Sequence, residues 1–316
     1  MAVQGSRFRG IGPALITPMH ADGSLDLDAF AEHVRFCVEG GVHFVVPCGT
    51  TGESATMNGA EQLRVIERCV EAAAGAVPVM AGAGTNSTAE ACGRARAAAN
   101  AGADAILSVT PYYNKPTPEG LYRHYMEVAD AAGIPVFVYN VPGRTGCNVL
   151  PATLFRLAEN HELIAGVKEA SGDIQQVMTI LADRPDGFTV LSGEDHLTFA
   201  LMALGGDGAI SVVANEVPAG MGALGDAALK GDWAGARRVH YRLLPLMRAN
   251  FVESNPIPVK TALAMMGRGP AHFRAPLCPL SPENVAELRA GLEAAGVQLP
   301  AAAGAARAAR PAGAER

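Results

Sequence analysis

The chain has 316 residues, 49% of them hydrophobic and 18% charged, with a formal net charge of −6. That is too long, too apolar and too weakly charged for a disordered protein. Its basic residues are scattered singly or in pairs, which excludes the basic stripe of a nucleic-acid binder. The opening MAVQGSRFRG lacks the apolar stretch of a signal peptide, and no apolar run nears the roughly 18 residues that span a bilayer, so a soluble cytoplasmic protein without a membrane partner is expected.

Short apolar runs rich in Val and Ile recur along the chain, at 10–18, 43–49, 77–84, 105–111, 135–142, 164–171, 188–195 and 208–214. Each is near-continuously apolar, as parallel strands covered on both faces are. Helical periodicity fills the gaps, as in 26–41, 58–75 and 87–102, the last opening with a capping box from Ser87 to Glu90. Eight βα repeats within about 220 residues predict an α/β fold, a closed (β/α)8 TIM barrel over residues 1–230. An open doubly wound sheet would carry a GxGxxG turn after its first strand, and GIGPAL does not continue that way. From about residue 217 the pattern is helical only. Residues 231–298 are expected to form a small C-terminal helical domain. Residues 299–316, biased toward Ala, Arg and Pro, read as a flexible tail.

None of the six cysteines forms a CxxC pair, and the eight histidines are isolated. Buried reduced thiols are expected, and no zinc-site spacing is present. In a barrel of this kind the active site lies at the C-terminal ends of the strands. Polar groups gather there, in GTTGES (49–54), TPYYNKP (110–116), YNVPGRTG (139–146), VKEAS (167–171) and SGED (192–195), and the opposite end offers no comparable set.

Only four of the 25 basic residues are lysines: Lys115, Lys168, Lys230 and Lys260. A chain that uses Arg for surface cations keeps Lys where a neutral amine is required. Lys115 and Lys230 sit in ordinary solvated contexts, and Lys260 reads as a snorkelling side chain. Lys168 lies inside a strand, and period-2 alternation places it on one face with Ile164 and Gly166, towards the barrel interior. Burial there favours the neutral amine, which attacks a ketone to form a Schiff base. An ion pair with a carboxylate across the barrel fits the same spacing. Thr50 and Thr51, between glycines, suit a small carboxylate or form a plain turn with a helix cap. Tyr139, on the same face as Phe137, could relay protons or simply pack. Arg144 offers a bidentate clamp for a second carboxylate.

Together with LSGED and SNPIPVK (254–260), these motifs in this order resemble the 4-hydroxy-tetrahydrodipicolinate synthase (dihydrodipicolinate synthase) family over about residues 8–297. This family belongs to the pyruvate-dependent class I aldolases, beside N-acetylneuraminate lyase. The arginine of YNVPGRTG resembles the synthases, whereas sialate lyases carry a different segment there. The resemblance implies Lys168 as the Schiff-base lysine and Tyr139 as the proton-transferring tyrosine. It implies Thr50 as the link to a second tyrosine, Tyr113, which in the family reaches in from a neighbouring subunit. Thr51 would bind the pyruvate carboxylate, Arg144 the carboxylate of aspartate semialdehyde, and Gly193 and Ile210 would line the pyruvate site. A homotetramer of paired dimers is implied, as is an imine that needs no metal or organic cofactor. At the family's lysine-effector site Ser54, Ala55, Asn86, Glu90 and Tyr112 match, but Gly59 and Gln62 replace a histidine pair, so weak or absent inhibition by lysine is expected.

The expected reaction is therefore condensation of pyruvate with L-aspartate 4-semialdehyde to 4-hydroxy-tetrahydrodipicolinate, feeding lysine and diaminopimelate synthesis. Two alternatives stand beside it. One is another aldolase of the superfamily acting on a sugar acid or hydroxy-oxo acid. The other is a non-catalytic barrel that binds an oxo acid.

Overall fold

The computed structural model describes residues 7–300. Seven strands form one sheet: β1 (Gly10–Pro13), β2 (Met80–Gly82), β3 (Ala105–Val109), β4 (Val136–Asn140), β5 (Ile164–Glu169), β6 (Thr189–Ser192) and β7 (Gly208–Ser211). All pairings are parallel, in the order β1-β7-β6-β5-β4-β3-β2. Helices α1 (Leu27–Glu39), α2 (Gly59–Ala73), α3 (Thr88–Asn100), α4 (Pro118–Ala132), α5 (Pro142–Thr145), α6 (Pro151–Asn160), α7 (Ile174–Asp183), α8 (Thr198–Ala203) and α9 (Pro218–Leu229) fill the connections. The result is a curled, TIM-barrel-like α/β sheet. After it come α10 (Trp233–Ala249), α11 (Ile257–Met265) and α12 (Pro282–Ala294); α10 packs on α9 and α12, and α11 on α12. Of the segment read as a tail, residues 301–316 lie outside the described residues.

The run at 43–49 departs from expectation. It forms two isolated parallel bridges, Ala14 with Val46 and Val45 with Val79, instead of a continuous ladder. It still bonds to both sheet edges: His43 and Val46 donate to the carbonyls of Ile11 and Pro13, and Val45 donates to Pro78 and accepts from Met80. Pro47 accepts from the Gly82 N–H but has no N–H to give, and Cys48 turns to φ 57°, which ends the ladder there.

Side-chain alternation divides the core in two. Phe8, Phe44, Met80, Leu107, Phe137, Leu191 and Ile210 fill the inside of the curl, with Phe8 edge-on to Phe44 and Phe137. Ile11, Val45, Ile106, Val138, Val167 and Val190 face the helices. On β5 the expected parity fails at one residue. Val136 pairs with Ile164 but Phe137 pairs with Gly166, so Ala165 is an extra residue in the ladder. This bulge sends Ile164 out to the helix-facing core, while Ala165 joins the inner cluster. Gly166 is closely packed: an added Cβ would lie 2.7 Å from the Phe137 ring.

Two further readings are corrected. At α3 only half of the capping box forms: the Ser87 hydroxyl accepts from the Glu90 N–H, but the Glu90 carboxylate pairs with Arg94. The complete box is at α2, between Asn58 and Glu61. The opposite end of the sheet is also polar, where Asp104 pairs with Arg7, and Asp207 with Arg9 and Arg184.

Asn215 ties the sheet end to α1. Its Nδ2 donates to the carbonyls of Ala14 and Val212, so its Oδ1 faces the Ile16 N–H and His33 Nε2 at 2.8 Å. That fixes His33 as the neutral Nε2–H tautomer. Burial pushes His33 down to about 4, against the raising effect of the Asn215 bond. The folded value lies below the unfolded one. The contribution to stability is therefore intact above pH 6.5 and is lost as pH falls towards 4. Through His33, on the order of 2 kcal/mol of stability should disappear between pH 7 and pH 5. Urea midpoints measured across this range should fall less steeply in His33→Gln than in the unmodified protein; parallel slopes would refute the assignment.

Candidate active site

The in-register pairing of β4 and β5 sets Tyr139 beside Lys168 and Asn140 beside Glu169. Lys168 is buried, and its amine lies 4.1 Å from the centroid of the Tyr139 ring. Among the described residues no carboxylate comes within 4.0 Å of that amine, which removes the ion-pair reading of its spacing. Gly193, at the end of β6, leaves room for the lysine tip: a Cβ there would sit 2.5 Å from the Ala170 Cβ and 3.0 Å from Lys168 Cε. Ile210 is buried in the inner cluster.

Next to this pair is a cavity of about 230 Å3 whose lining includes Thr50, Tyr139 and Arg144, together with Tyr112. Arg144 is exposed on the short α5, which Pro142 starts and Gly146 ends. Thr51 is buried, and its hydroxyl oxygen accepts from Asn255 Nδ2 at 2.9 Å. Tyr113 is set apart from the others. It takes a left-handed φ of 74° and is 91% exposed, so within one chain it projects away from the cavity.

Several residues that hold the site were not singled out in the sequence. Glu169 is buried, and no cation among the described residues pairs with it. Its Oε2 accepts from Asn140 and Gln176, and its Oε1 from the Ser171 N–H. Asn148 joins the same group, accepting from Asn140 and Gln176 and donating to Gln176, so the loop carrying Arg144 is tied to both strands. Asp195 Oδ2 accepts the N–H groups of Val212 and Val213, fixing the turn after β7. Burial pushes the Glu194 carboxyl up, against the pull of His196, Lys168 and Arg144.

Lys260 does not snorkel. It is 2% exposed and donates to Glu53 at 2.6 Å and to the Thr17 carbonyl at 3.1 Å. Burial lowers its pKa against the opposing pull of Glu53. A string of lone motif letters, SNPIPVK, gave no sign that Asn255 and Lys260 reach two hundred residues back to GTTGES.

The family model of the dihydrodipicolinate synthetase family matches residues 7–295. The chain belongs to this family. It is 50% identical over 292 residues to the 4-hydroxy-tetrahydrodipicolinate synthase of Koribacter versatilis, covering 92% of this chain and 97% of that one. The dihydrodipicolinate synthase structure from Aquifex aeolicus superposes with a TM-score of 0.90 at 43% identity, covering 92% and 99% of the two chains. The structure of a monomeric dihydrodipicolinate synthase variant superposes at 0.91 and 43% identity, covering 94% and 99%. The likeness therefore spans both the curled sheet and the helices that follow it.

The crowding at Gly193 makes a direct prediction. Gly193→Ala should displace the Lys168 tip and slow borohydride-trapped adduct formation with pyruvate by on the order of tenfold to a hundredfold. Mass spectrometry of the trapped protein checks this, and a trapping rate equal to the unmodified protein's would contradict the crowding argument.

Proposed function

We propose that this protein condenses pyruvate with L-aspartate 4-semialdehyde to give 4-hydroxy-tetrahydrodipicolinate. The observation that carries this reading is a buried lysine amine, with no carboxylate of the described residues against it, lying over Tyr139, which lines a cavity together with Thr50 and Arg144. Lys168 attacks the pyruvate ketone and water leaves, forming the imine. Tyr139 helps move the proton whose loss gives the enamine. The enamine carbon attacks the aldehyde, Arg144 holds the aldehyde's carboxylate, and closure by the substrate amine displaces Lys168. Thr51 binds the pyruvate carboxylate, while Gly193 and Ile210 line its pocket.

The same reading takes residues 43–47 as the eighth strand of a closed barrel over residues 1–230, supported by their bonds to both sheet edges. It takes 231–298 as a helical domain. The exposure of Tyr113 supports a homo-oligomer, a tetramer of paired dimers, in which this side chain enters a neighbour's site and completes a relay through Thr50.

One variant series tests the catalytic reading in an assay of semialdehyde-dependent pyruvate consumption. Lys168→Ala should abolish turnover and trapping. Arg144→Ala should raise the KM for the semialdehyde about tenfold or more and leave that for pyruvate within about twofold. Tyr113→Phe should lower kcat about tenfold. Pyruvate trapping on Lys168 without semialdehyde turnover would move the protein to another aldolase of the superfamily.

Feedback by lysine should be weak. Glu90 is already paired with Arg94, and Gly59 and Gln62 stand where a histidine pair would hold the effector. Activity should stay near its uninhibited level as lysine is raised, and strong inhibition at micromolar lysine would overturn this.

A further inference from the structure

We propose that Asn255 is a positioning residue that sets the hydrogen-bond polarity of Thr51, and that the buried Lys260–Glu53 pair holds the two together. This rests on the reading of Thr51 as a ligand of the pyruvate carboxylate.

A threonine hydroxyl has one proton and two lone pairs. Left alone, it donates to whichever acceptor is nearest. Asn255 Nδ2 donates to Thr51 Oγ1 at 2.9 Å, which occupies a lone pair with an N–H that cannot accept in return. The hydroxyl proton must then point elsewhere, and a carboxylate in the site is the acceptor it serves. Asn255 thus makes Thr51 an obligate donor before substrate arrives, and pre-set donors cost no reorganisation on binding.

The geometry around this bond is built to last. Thr51 and Asn255 are both buried, so water does not compete for the bond. Two residues past Thr51, Glu53 sits in a left-handed φ of 55°, and its Oε1 accepts from Lys260 while its Oε2 accepts the Arg274 N–H. Lys260 lies in the first turns of α11, five residues beyond Asn255, and also donates to the Thr17 carbonyl. Thr17 in turn donates its hydroxyl proton to the Gly52 carbonyl. Arg274 extends the clamp to Glu61 and to the Thr56 carbonyl. The GTTGES loop is therefore fixed from outside, by the helical segment that follows the sheet.

The test uses the full-length protein, with half-saturating pyruvate for borohydride trapping and steady-state KM and kcat as readouts. Thr51→Val should raise both pyruvate values on the order of tenfold, the loss of one bond to a charged group. Asn255→Asp, matched in shape but able only to accept, turns the Thr51 proton towards itself. It should raise the pyruvate values at least as much as Thr51→Val, with kcat within about threefold. Asn255→Ala should raise them less, and Thr51→Val/Asn255→Ala should be no worse than Thr51→Val alone. Should Asn255→Ala fold poorly, Asn255→Asp decides the matter by itself. An unchanged pyruvate KM in Thr51→Val removes the carboxylate reading and this proposal with it. A raised KM in Thr51→Val beside an unchanged KM in Asn255→Asp overturns the proposal alone. So does additivity in the double variant with parallel losses of kcat and thermal midpoint, which is the mark of a merely structural asparagine.

Discussion

A buried amine without a counter-ion is the constraint around which the open end of this sheet is arranged. Burying an ammonium costs several kcal/mol unless a carboxylate compensates. Lys168 and Lys260 take opposite courses under the same pressure. Lys260 is met by Glu53 at 2.6 Å and by a carbonyl, which keeps it a structural cation. Lys168 is met by an aromatic face and a glycine, and among the described residues no acid comes within 4.0 Å of its amine. One lysine holds the loop, and the other is left without an acid partner among the described residues.

Keeping acids away from Lys168 is demanding, because Glu169 is beside it in the chain and the carboxyls of Glu194 and Asp195 both feel its charge. Glu169 is the next residue on β5, but strand alternation turns it to the other face. There Asn140, Gln176 and the Ser171 N–H consume its lone pairs. Asp195 spends its Oδ2 on two backbone N–H groups of the turn after β7. Both acids accept from neutral donors, so each fixes a loop of the site without forming an ion pair with the lysine. The loops at this end are consequently held by buried polar bonds rather than by apolar packing, and losing one partner would leave a buried acceptor unpaired.

The alternation of strands and helices was legible because buried parallel strands read as continuous apolar runs and the helices carry their own caps. The exceptions have local causes. At 43–49, apolar content predicted a full strand, but Pro47 and the left-handed Cys48 allow only two bridged residues. On β5 a period-2 count placed Ile164 with Lys168, and the bulge at Ala165 moved it to the opposite face. Bulges depend on how two strands meet, which neither strand announces alone. Of the site, Lys168, Tyr139, Thr50 and Arg144 could be picked out because each sits at a strand end in a short motif. Glu169, Asn148, Gln176, Asn255 and Lys260 could not, since their meaning lies in partners far away in the sequence. Lys260 was misread for that reason: a lysine after an apolar stretch looks like a surface stem until Glu53, left-handed and buried, is seen beneath it.

The distribution of these partners gives the helices after the sheet a definite task. Strand ends position Lys168 and Tyr139 through the sheet's own hydrogen bonds, which need nothing from outside. The GTTGES loop has no such ladder, because the segment before it leaves the sheet after Pro47, whose carbonyl is the last to accept from β2. Its bonds must come from another source, and residues 255–274 supply them through Asn255, Lys260 and Arg274. A sheet of this kind without the following helices would keep its amine and its tyrosine but would lose the fixed geometry of Thr50 and Thr51. The helical segment is thus part of the site as much as part of the core, and the weakness of the ladder at one strand explains why.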